Sequence, residues 1–464
     1  MSIITNTLAR QAATQQPGEI AGRIDVPVAE PRMKICVLAA CPFPANHGTP
    51  GSIRELAEAT VERGHEVHIV TYHFGEDLPL RGVHVHRIRD RTGERQVRVG
   101  PTKYRPLYDF QMIWKAREVV RKYDLDLMHA HGYEAVLAAG CCRPMVRRKI
   151  LYSAHNSMGD ELASYDFFSS RRFATSLAWV LDRTAPRLGD RCLPHSANLQ
   201  QFLADRGLAN RTEPVLNFGI DLNAVPNTDR DKMRQKLGLG DEPVVLYSGV
   251  IDQFQRLDLL LEGMVNVIRS LPKARLLILS TIEHQEHQQR LWDQANRLGI
   301  ARHLAIQVPT SMEHGLRLIS LADVAVVPRP AAPGFPIKLL NYMLAARPCV
   351  LFASSASRVA HGEHVWLAAQ DTGESLGHAI LQLLRREELA ARIAAGGHRF
   401  VCENHDRRLV AAQLCRSYQR LLEGTKRWNK VAQRPPVEPD LQRPHFETTS
   451  DTVDHARVSM TQQK

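Results

Sequence analysis

The residues whose type and spacing could do chemistry are a histidine, an arginine, a lysine and a glycine-rich loop, each just past a strand-like apolar run. His155 follows the run Ile150–Ala154 in the segment SAHNSMGDEL. A histidine on a polar loop past a strand suits contact with a sugar hydroxyl or polarisation of a reacting group. It is also one of 21 histidines, and an ordinary loop histidine has the same sequence surroundings. Arg329 follows the apolar run 324–327, and Lys338 lies in PGFPIKLLNYML (333–344). There Gly334, Phe335 and Pro336 open a helix that turns Ile337, Leu340 and Met343 or Leu344 inward. Pro336 suits the first turn, where its missing N–H costs nothing. The free amides of that turn, with Lys338 and Arg329, predict a seat for a diphosphate. The loop NHGTPGS (46–52) leads from a strand into a helix, and Gly48 and Gly51 would let backbone N–H groups approach an anion. A tight turn with a helix cap reads equally well there. The loop does not match GxGxxG, which disfavours a dinucleotide.

The elements that must position these loops alternate as in parallel α/β proteins. Strand runs at Lys34–Ala40, Val67–Thr71, Leu127–Ala130, Ile150–Ala154 and Arg191–Pro194 fill the first half. Gly64 stops its first helix, and Ser196 is placed to cap the helix Ala197–Arg206. A polar stretch near Asn217–Asp241 marks a boundary. Beyond it the pattern predicts strands at 244–248, 275–279, 324–327 and 349–353, with helices at 256–270, 284–298, 312–321 and 337–346. The expected fold is α/β, two Rossmann-like doubly wound domains facing across a cleft. The expected divisions are a disordered tail at 1–32, domains at 33–216 and 217–408, a helix at 409–424 and a disordered tail at 425–464. Ligands of doubly wound sheets bind beyond the carboxyl ends of strands. Chemistry is therefore expected in the loops after residues 40, 154, 248 and 328.

A chain of 464 residues suits two domains, and 44% hydrophobic with 23% charged residues is a soluble globular composition. No apolar run approaches the ~20 residues of a membrane span. The first 25 residues lack the apolar region of a secretory signal, so a cytoplasmic protein is expected. Eight cysteines form no CxxC pair and read as buried thiols. The net charge is +11. Three Arg meet three acids in the first 32 residues, and seven basic residues meet five acidic ones in 425–464, so +9 remains on the folded body. That excess favours phosphate-bearing substrates, anionic lipid or nucleic acid. With 6% aromatics and no basic-aromatic stretch, nucleic acid is not expected. Segment 81–105 holds eight Arg or Lys and two acids, and it runs into a helix at Pro106–Lys122. That helix carries Leu107, Phe110, Ile113 and Trp114 among Lys115, Arg117, Arg121 and Lys122. It reads as packed on the core with a solvated basic side; the other reading is a face meeting anionic headgroups. Asp124 and Asp126 imitate a metal-binding DxD but read as a helix-to-strand turn. The pairs His84 with His86 and His284 with His287 read as solvated surface.

Taken in order, seven segments resemble the family-4 glycosyltransferases of the GT-B fold over residues 33–424. They are GTPGSIRELAEATVERGHEVHIVT, the AHN loop, LPHSANLQQFL, NFGID, VVLYSGVID with LDLLLEGM, SLADVAVVPRP, and GFPIKLLNYMLAARPCVLF. Segment 399–424 resembles the family's C-terminal helix that crosses back onto the first domain. The resemblance implies an acceptor domain first and a nucleotide-sugar donor domain second. It implies transfer of a hexosyl group, with retention, from a nucleotide-diphospho-sugar to a glycan or lipid-linked hydroxyl. No cofactor and no metal are implied, and a lipid-linked acceptor would suit the inner face of the cell membrane.

Residue by residue, the resemblance puts Gly48 and Thr49 under the donor diphosphate and His155 beside the donor sugar. Gly249 begins the donor-phosphate loop, and Gly334, Phe335 and Ile337 belong to the helix start facing the donor. Two departures stand out. Most members follow the glycine with Arg and place Lys six positions after it; here those positions hold Val250 and Gln255, with Arg256 one step later. Most also carry glutamates where this chain has Pro333 and Asn341, the second of which would accept from the donor ribose through its amide oxygen. Arg329 and Lys338, with Arg256, are the expected replacements for the missing charge. The alternatives are an epimerase or hydrolase on the same fold, or a non-catalytic sugar-nucleotide-binding scaffold.

Overall fold

The computed structural model describes residues 30–45, 48–94, 104–159, 171–280, 285–330, 335–356, 358–434 and 436–437. The expected tail at 1–32 lies outside these up to residue 29, and so does His284. In the first half, β1 (Lys34–Ala39), β2 (Glu66–Thr71), β3 (His84–Arg87), β4 (Leu127–His131), β5 (Lys149–Ala154) and β6 (Arg191–Pro194) form one parallel sheet in the order β3-β2-β1-β4-β5-β6. Between them run α1 (Gly48–Glu62), α2 (Arg105–Lys122), α3 (Tyr133–Val146) and α4 (Arg171–Thr184), with α5 (Ala197–Ala204) after β6. Ser196 caps α5 by accepting from Leu199 N at 3.2 Å.

The second half repeats the plan. Helix α6 (Arg230–Lys236) precedes β7 (Val244–Gly249), α7 (Leu257–Ser270), β8 (Arg275–Ser280), α8 (Gln285–Arg297), β9 (Leu304–Gln307), α9 (Met312–Ile319) and β10 (Val324–Val327). Helix α10 (Lys338–Leu344), β11 (Cys349–Phe352), β12 (Trp366–Ala368), α11 (Gly373–Arg385) and α12 (Glu387–Asn404) complete it. The sheet order is β9-β8-β7-β10-β11-β12, again parallel. Runs such as Leu276–Leu279 and Val324–Val327 are apolar throughout, not alternating, because helices cover both faces of each sheet. The fold is thus α/β with two Rossmann-like domains.

The chain crosses between the domains twice, side by side. Ile220 N donates to His405 O at 2.8 Å, Arg407 N to Ile220 O at 3.0 Å, and the His405 ring to Phe218 O at 2.8 Å. The returning segment is not one helix. Helix α12 stops at Asn404, and α13 (Arg407–Leu422) starts after Asp406, whose carboxylate accepts from Arg408 N. Helix α13 packs Val410, Leu414 and Tyr418 with Ile53 and Leu56 of α1 in the core of the first domain.

The stretch 425–464 differs from its expected disorder where it is described. Thr425 caps α14 (Lys426–Ala432), and Trp428 and Val431 join the same core. Arg427, Lys430 and Arg434 then grip the two aspartates that imitate a DxD motif. Asp124 does sit at the helix-to-strand turn, with φ +51°. Asp126 is buried and also accepts from Lys34 N at 2.8 Å. A buried carboxylate needs such partners. The segment's polar composition hid that they come from the chain's far end. Beyond it, Glu30–Pro31 pairs antiparallel with Pro436–Val437; residues 438–464 lie outside the described part.

Two surface expectations also change. Helix α2 buries Tyr108, Met112, Ala116, Val119 and Val120, so Leu107, Phe110 and Trp114 face outward. His86 is half-buried and its Nε2 lies 2.9 Å from Nδ1 of His68, whose other nitrogen meets Glu66; only His84 is exposed. Among the described residues, no helix is long and apolar enough to cross a membrane.

Candidate active site in the interdomain cleft

Each sheet reverses its strand order at one point, between β1 and β4 and between β7 and β10, where loops diverge and leave a crevice. The two crevices face one another across a cavity of about 510 Å³. From the first domain, Gly48, Thr49, His131 and His155 line it; from the second, Gly249, Asp252, Arg329, Phe335, Ile337, Lys338 and Asn341. Gly48 takes φ +49° at the start of α1, and a Cβ there would meet nothing within 4 Å, so that helix end is open to the cleft.

The second-domain wall is tied together by side chains. Lys338 Nζ donates to Gln255 Oε1 and to Tyr247 Oη, both at 2.8 Å, and lies over the Tyr247 ring. Tyr247 Oη donates onward to Val250 O at 2.8 Å. Tyr342, one turn beyond Lys338, accepts from Ser248 N at 2.6 Å. Gly249 passes between these groups with φ +145°, and a Cβ there would lie 2.5 Å from Lys338 Nζ. Burial, then the neighbouring Arg329, hold the Lys338 ammonium well below its usual pKa. Burial also lowers Arg329, whose guanidinium stacks over Phe254 at 4.6 Å. Asp252 is raised by burial and accepts from Gln255 N at 3.0 Å. The Tyr247 and Tyr342 ties were not foreseen; the repeated tyrosine beside each loop was the available signal.

Opposite stands a stack of rings. His155 Nε2 lies 3.0 Å from His131 Nδ1, so the two share one proton. The His155 ring stacks on His195 at 4.4 Å and 14°, and His195 stacks on Phe218 at 4.9 Å. Phe218 meets Phe335, which stacks on His405. His195 Nδ1 donates to Leu216 O at 3.2 Å, which fixes its tautomer. Burial drives His131 and His155 well below the usual histidine pKa and lowers His195 to about 4. The group is neutral at pH 7. With Nε2 of His155 engaged, Nδ1 is the nitrogen left for a ligand. Sequence reasoning missed His131 and His195, since partners from three strands have no common spacing.

Of the expected site residues, Gly48, Thr49, His155, Gly249, Arg329, Phe335, Ile337, Lys338 and Asn341 come together. Arg256 does not: in left-handed backbone (φ +52°), it turns onto Asp258 and pairs with that carboxylate at 2.8 Å, outside the cleft lining. Gly334 lies outside the described residues. Among those described, no group of three or more His, Cys, Asp or Glu is arranged to hold a metal ion.

With this geometry, comparison with known proteins is decisive. The sequence pattern of Glycosyltransferase Family 4 matches residues 48–224, and that of Glycosyl transferases group 1 matches residues 242–386. The chain belongs to the family-4 glycosyltransferases. Its N-terminal match begins at the open helix end, and its C-terminal match contains the Lys338 wall. A D-inositol 3-phosphate glycosyltransferase of Geodermatophilus obscurus is 28% identical over 253 residues. That alignment spans 51% of this chain and 56% of the relative, so the chain matches about half of that protein's length. Among solved structures, the sucrose-phosphate synthase of Thermosynechococcus elongatus superposes with TM-score 0.72 at 18% identity, over 85% of this chain and all of that one. Anabaena HepE in complex with UDP-glucose superposes with TM-score 0.66 at 17% identity, over 84% of this chain and all of that one. These likenesses establish the GT-B fold of this glycosyltransferase, with its cleft between two Rossmann-like halves.

Proposed function

We propose that this glycosyltransferase moves a hexosyl group, with retention and without a catalytic metal, from a nucleotide-diphospho-sugar to the hydroxyl of a glycan or lipid-linked acceptor. The observation that carries the reading is the pairing of Lys338 with Gln255. It returns a cation to the loop of Gly249, where the family's usual lysine is absent. Arg329 lines the same wall, so two basic side chains would face a donor diphosphate. In an enclosed cleft, such charge counts most as the diphosphate leaves and its own charge grows. His155 faces them from the other domain as a neutral ring, suited to hold a sugar hydroxyl without repelling a developing positive carbon. Asn341 would take the ribose, and Gly48 and Thr49 would pass close under the phosphates. In a retaining transfer the acceptor oxygen bonds to the anomeric carbon on the face the diphosphate leaves, and the acceptor proton passes to a diphosphate oxygen.

The relatives that bind UDP or UDP-glucose make a uridine donor the first to try. The purified chain is screened by thermal shift against uridine, guanosine and adenosine diphospho-sugars, and hits are incubated with glycan and lipid-linked acceptors. The expected outcome is one base giving a shift and a product whose anomeric configuration by NMR matches the donor. A shift with sugar release or epimerisation but no transfer would favour the hydrolase or epimerase. A shift with no turnover would favour a scaffold.

A further inference from the structure

Helices α2, α3 and α4 cover one side of the first sheet, and their inward residues Tyr108, Met112, Ala139, Cys142 and Ala178 share one core. Their opposite sides face away from the sheet together. On α2, Leu107, Phe110 and Trp114 follow one another at helical spacing, 39%, 57% and 51% exposed, and the last two rings touch edge to face. On α3 the outward positions are Leu137, Cys141 and Pro144, with no charge among them. On α4 they include Trp179 and Val180, 58% and 45% exposed. One exposed apolar side chain needs no explanation, but three neighbouring helices that all turn large ones outward do.

The charge around this face identifies its partner. Arg121 and Lys122 end α2, Arg147 follows α3, and Arg183, stacked on Trp179 at 4.0 Å, ends α4. Among the described residues of the three helices, Glu118 is the one exposed acid, and Lys115 pairs with it at 3.2 Å. Tryptophan and phenylalanine with Arg and Lys at the helix C-terminal ends is a composition that enters a lipid interface while meeting anionic headgroups. The first residues of α2 and α3, Arg105 and Tyr133, line the cleft, so the apolar half of α2 lies next to its mouth.

We infer that the outer face of α2, α3 and α4 docks on an anionic bilayer, with Phe110, Trp114 and Trp179 in the interface and Arg121, Lys122 and Arg183 at the headgroups. Docking there sets the cleft mouth at the membrane, where a lipid-linked acceptor is presented without leaving the bilayer; that last consequence rests on the transferase reading, the docking itself does not.

The full chain is floated with vesicles of phosphatidylcholine alone and of phosphatidylcholine with phosphatidylglycerol. Recovery with the anionic vesicles alone is expected, and high salt should reduce it. The triple variants Phe110→Ser/Trp114→Ser/Trp179→Ser and Arg121→Gln/Lys122→Gln/Arg183→Gln should each lose about fivefold or more of the floated protein. Circular dichroism and binding of the nucleotide-sugar in the cleft check that each variant is folded. Wild type that does not float, or variants that float like wild type, overturns the inference. So does an apolar variant whose only change is from dimer to monomer in sedimentation, which would make the face a contact between copies. Flotation in a chain that binds no nucleotide-sugar would sink the transferase reading and leave this one standing.

Discussion

Lys338 and Gln255, 83 positions apart in the chain, meet at 2.8 Å beside Gly249, with the amine donating to the amide oxygen. In the proposed donor site, the charge that the family resemblance expects at position 255 would come from α10 instead, with Gln255 as its acceptor.

That transposition is testable by reversing it. Lys338→Met should weaken donor binding about tenfold or more, the loss of one charge-assisted contact to a phosphate. Adding Gln255→Lys to Lys338→Met should recover part of the loss, because the new side chain starts where Lys338 Nζ now ends. Titration of the donor into both variants checks this. A double variant no better than the single one would mean that the position of the charge, not its presence, matters.

Donor binding should also take up protons. Burial and Arg329 make the Lys338 ammonium less stable than usual in the free cleft. A diphosphate beside it raises its pKa again, since an opposite charge favours the charged form. The measured binding enthalpy should therefore change with the ionisation enthalpy of the buffer wherever the free-cleft lysine is partly deprotonated. Identical enthalpies in phosphate and Tris would rule out a proton shift at this lysine.

Gly249 and Arg256 should behave oppositely although both lie in one loop. Gly249→Ala puts a methyl 2.5 Å from Lys338 Nζ, in a backbone conformation (φ +145°) that alanine disfavours. A donor KM at least about tenfold higher is expected, because the loop or the lysine must move. Arg256 is spent on Asp258, so Arg256→Ala should leave donor KM within about twofold. A large rise for Arg256→Ala would mean that it swings into the cleft when the donor binds.

These contrasts show what was legible in the sequence. Nine of the twelve sheet strands and about half of the helices were, because buried parallel strands read as unbroken apolar runs and those helices keep their period. The cleft loops followed, since each lies after such a strand. Less regular elements were not: β3 is His-Val-His-Arg, with no apolar run, and α14 lies in a polar segment whose partner is at residues 124–126. The ring stack was hidden for another reason. His131, His155 and His195 come from the ends of three strands and meet only once the sheet forms. The placement of Arg256 was not legible because sequence gives proximity to Gly249 but not the left-handed backbone that turns it to Asp258.

The buried histidines make the fold sensitive to acid. His195 and His405 have pKa values of about 4 when folded against 6.5 when exposed. Below pH 6.5 the unfolded chain binds protons that the folded rings refuse, so stability is full above 6.5 and is lost as pH falls toward 4. Asp109 works the other way, since burial raises it to about 7 and the folded state holds the extra proton between 3.8 and 7. Burial raises Asp252 and Glu55 in the same sense as Asp109, and the two rings, together with the deeper shifts at His131 and His155, outweigh these carboxyls. Each ring contributes on the order of 3 kcal/mol. The Tm should fall by roughly 10 °C between pH 7 and 4.5, and more steeply in Asp109→Asn. A flat Tm over that range would show that these rings titrate normally.

The C-terminal segment should matter for stability and not for the donor site. Asp126 has no exposed side-chain surface and receives Arg427 Nε at 2.6 Å and Arg434 Nη2 at 2.9 Å. Arg427→Met removes one partner of a buried charge, a loss of about 2 to 4 kcal/mol after allowing for Arg434, which remains. Asp126 directly precedes β4, at the end of the first sheet away from the cleft, so the donor site is untouched. The expected result is a Tm several degrees lower with donor KM unchanged. Arg427→Met and Asp126→Asn should also be less than additive, because each removes the same contact. Full additivity would mean that the contact between Arg427 and Asp126 contributes no coupling energy of its own.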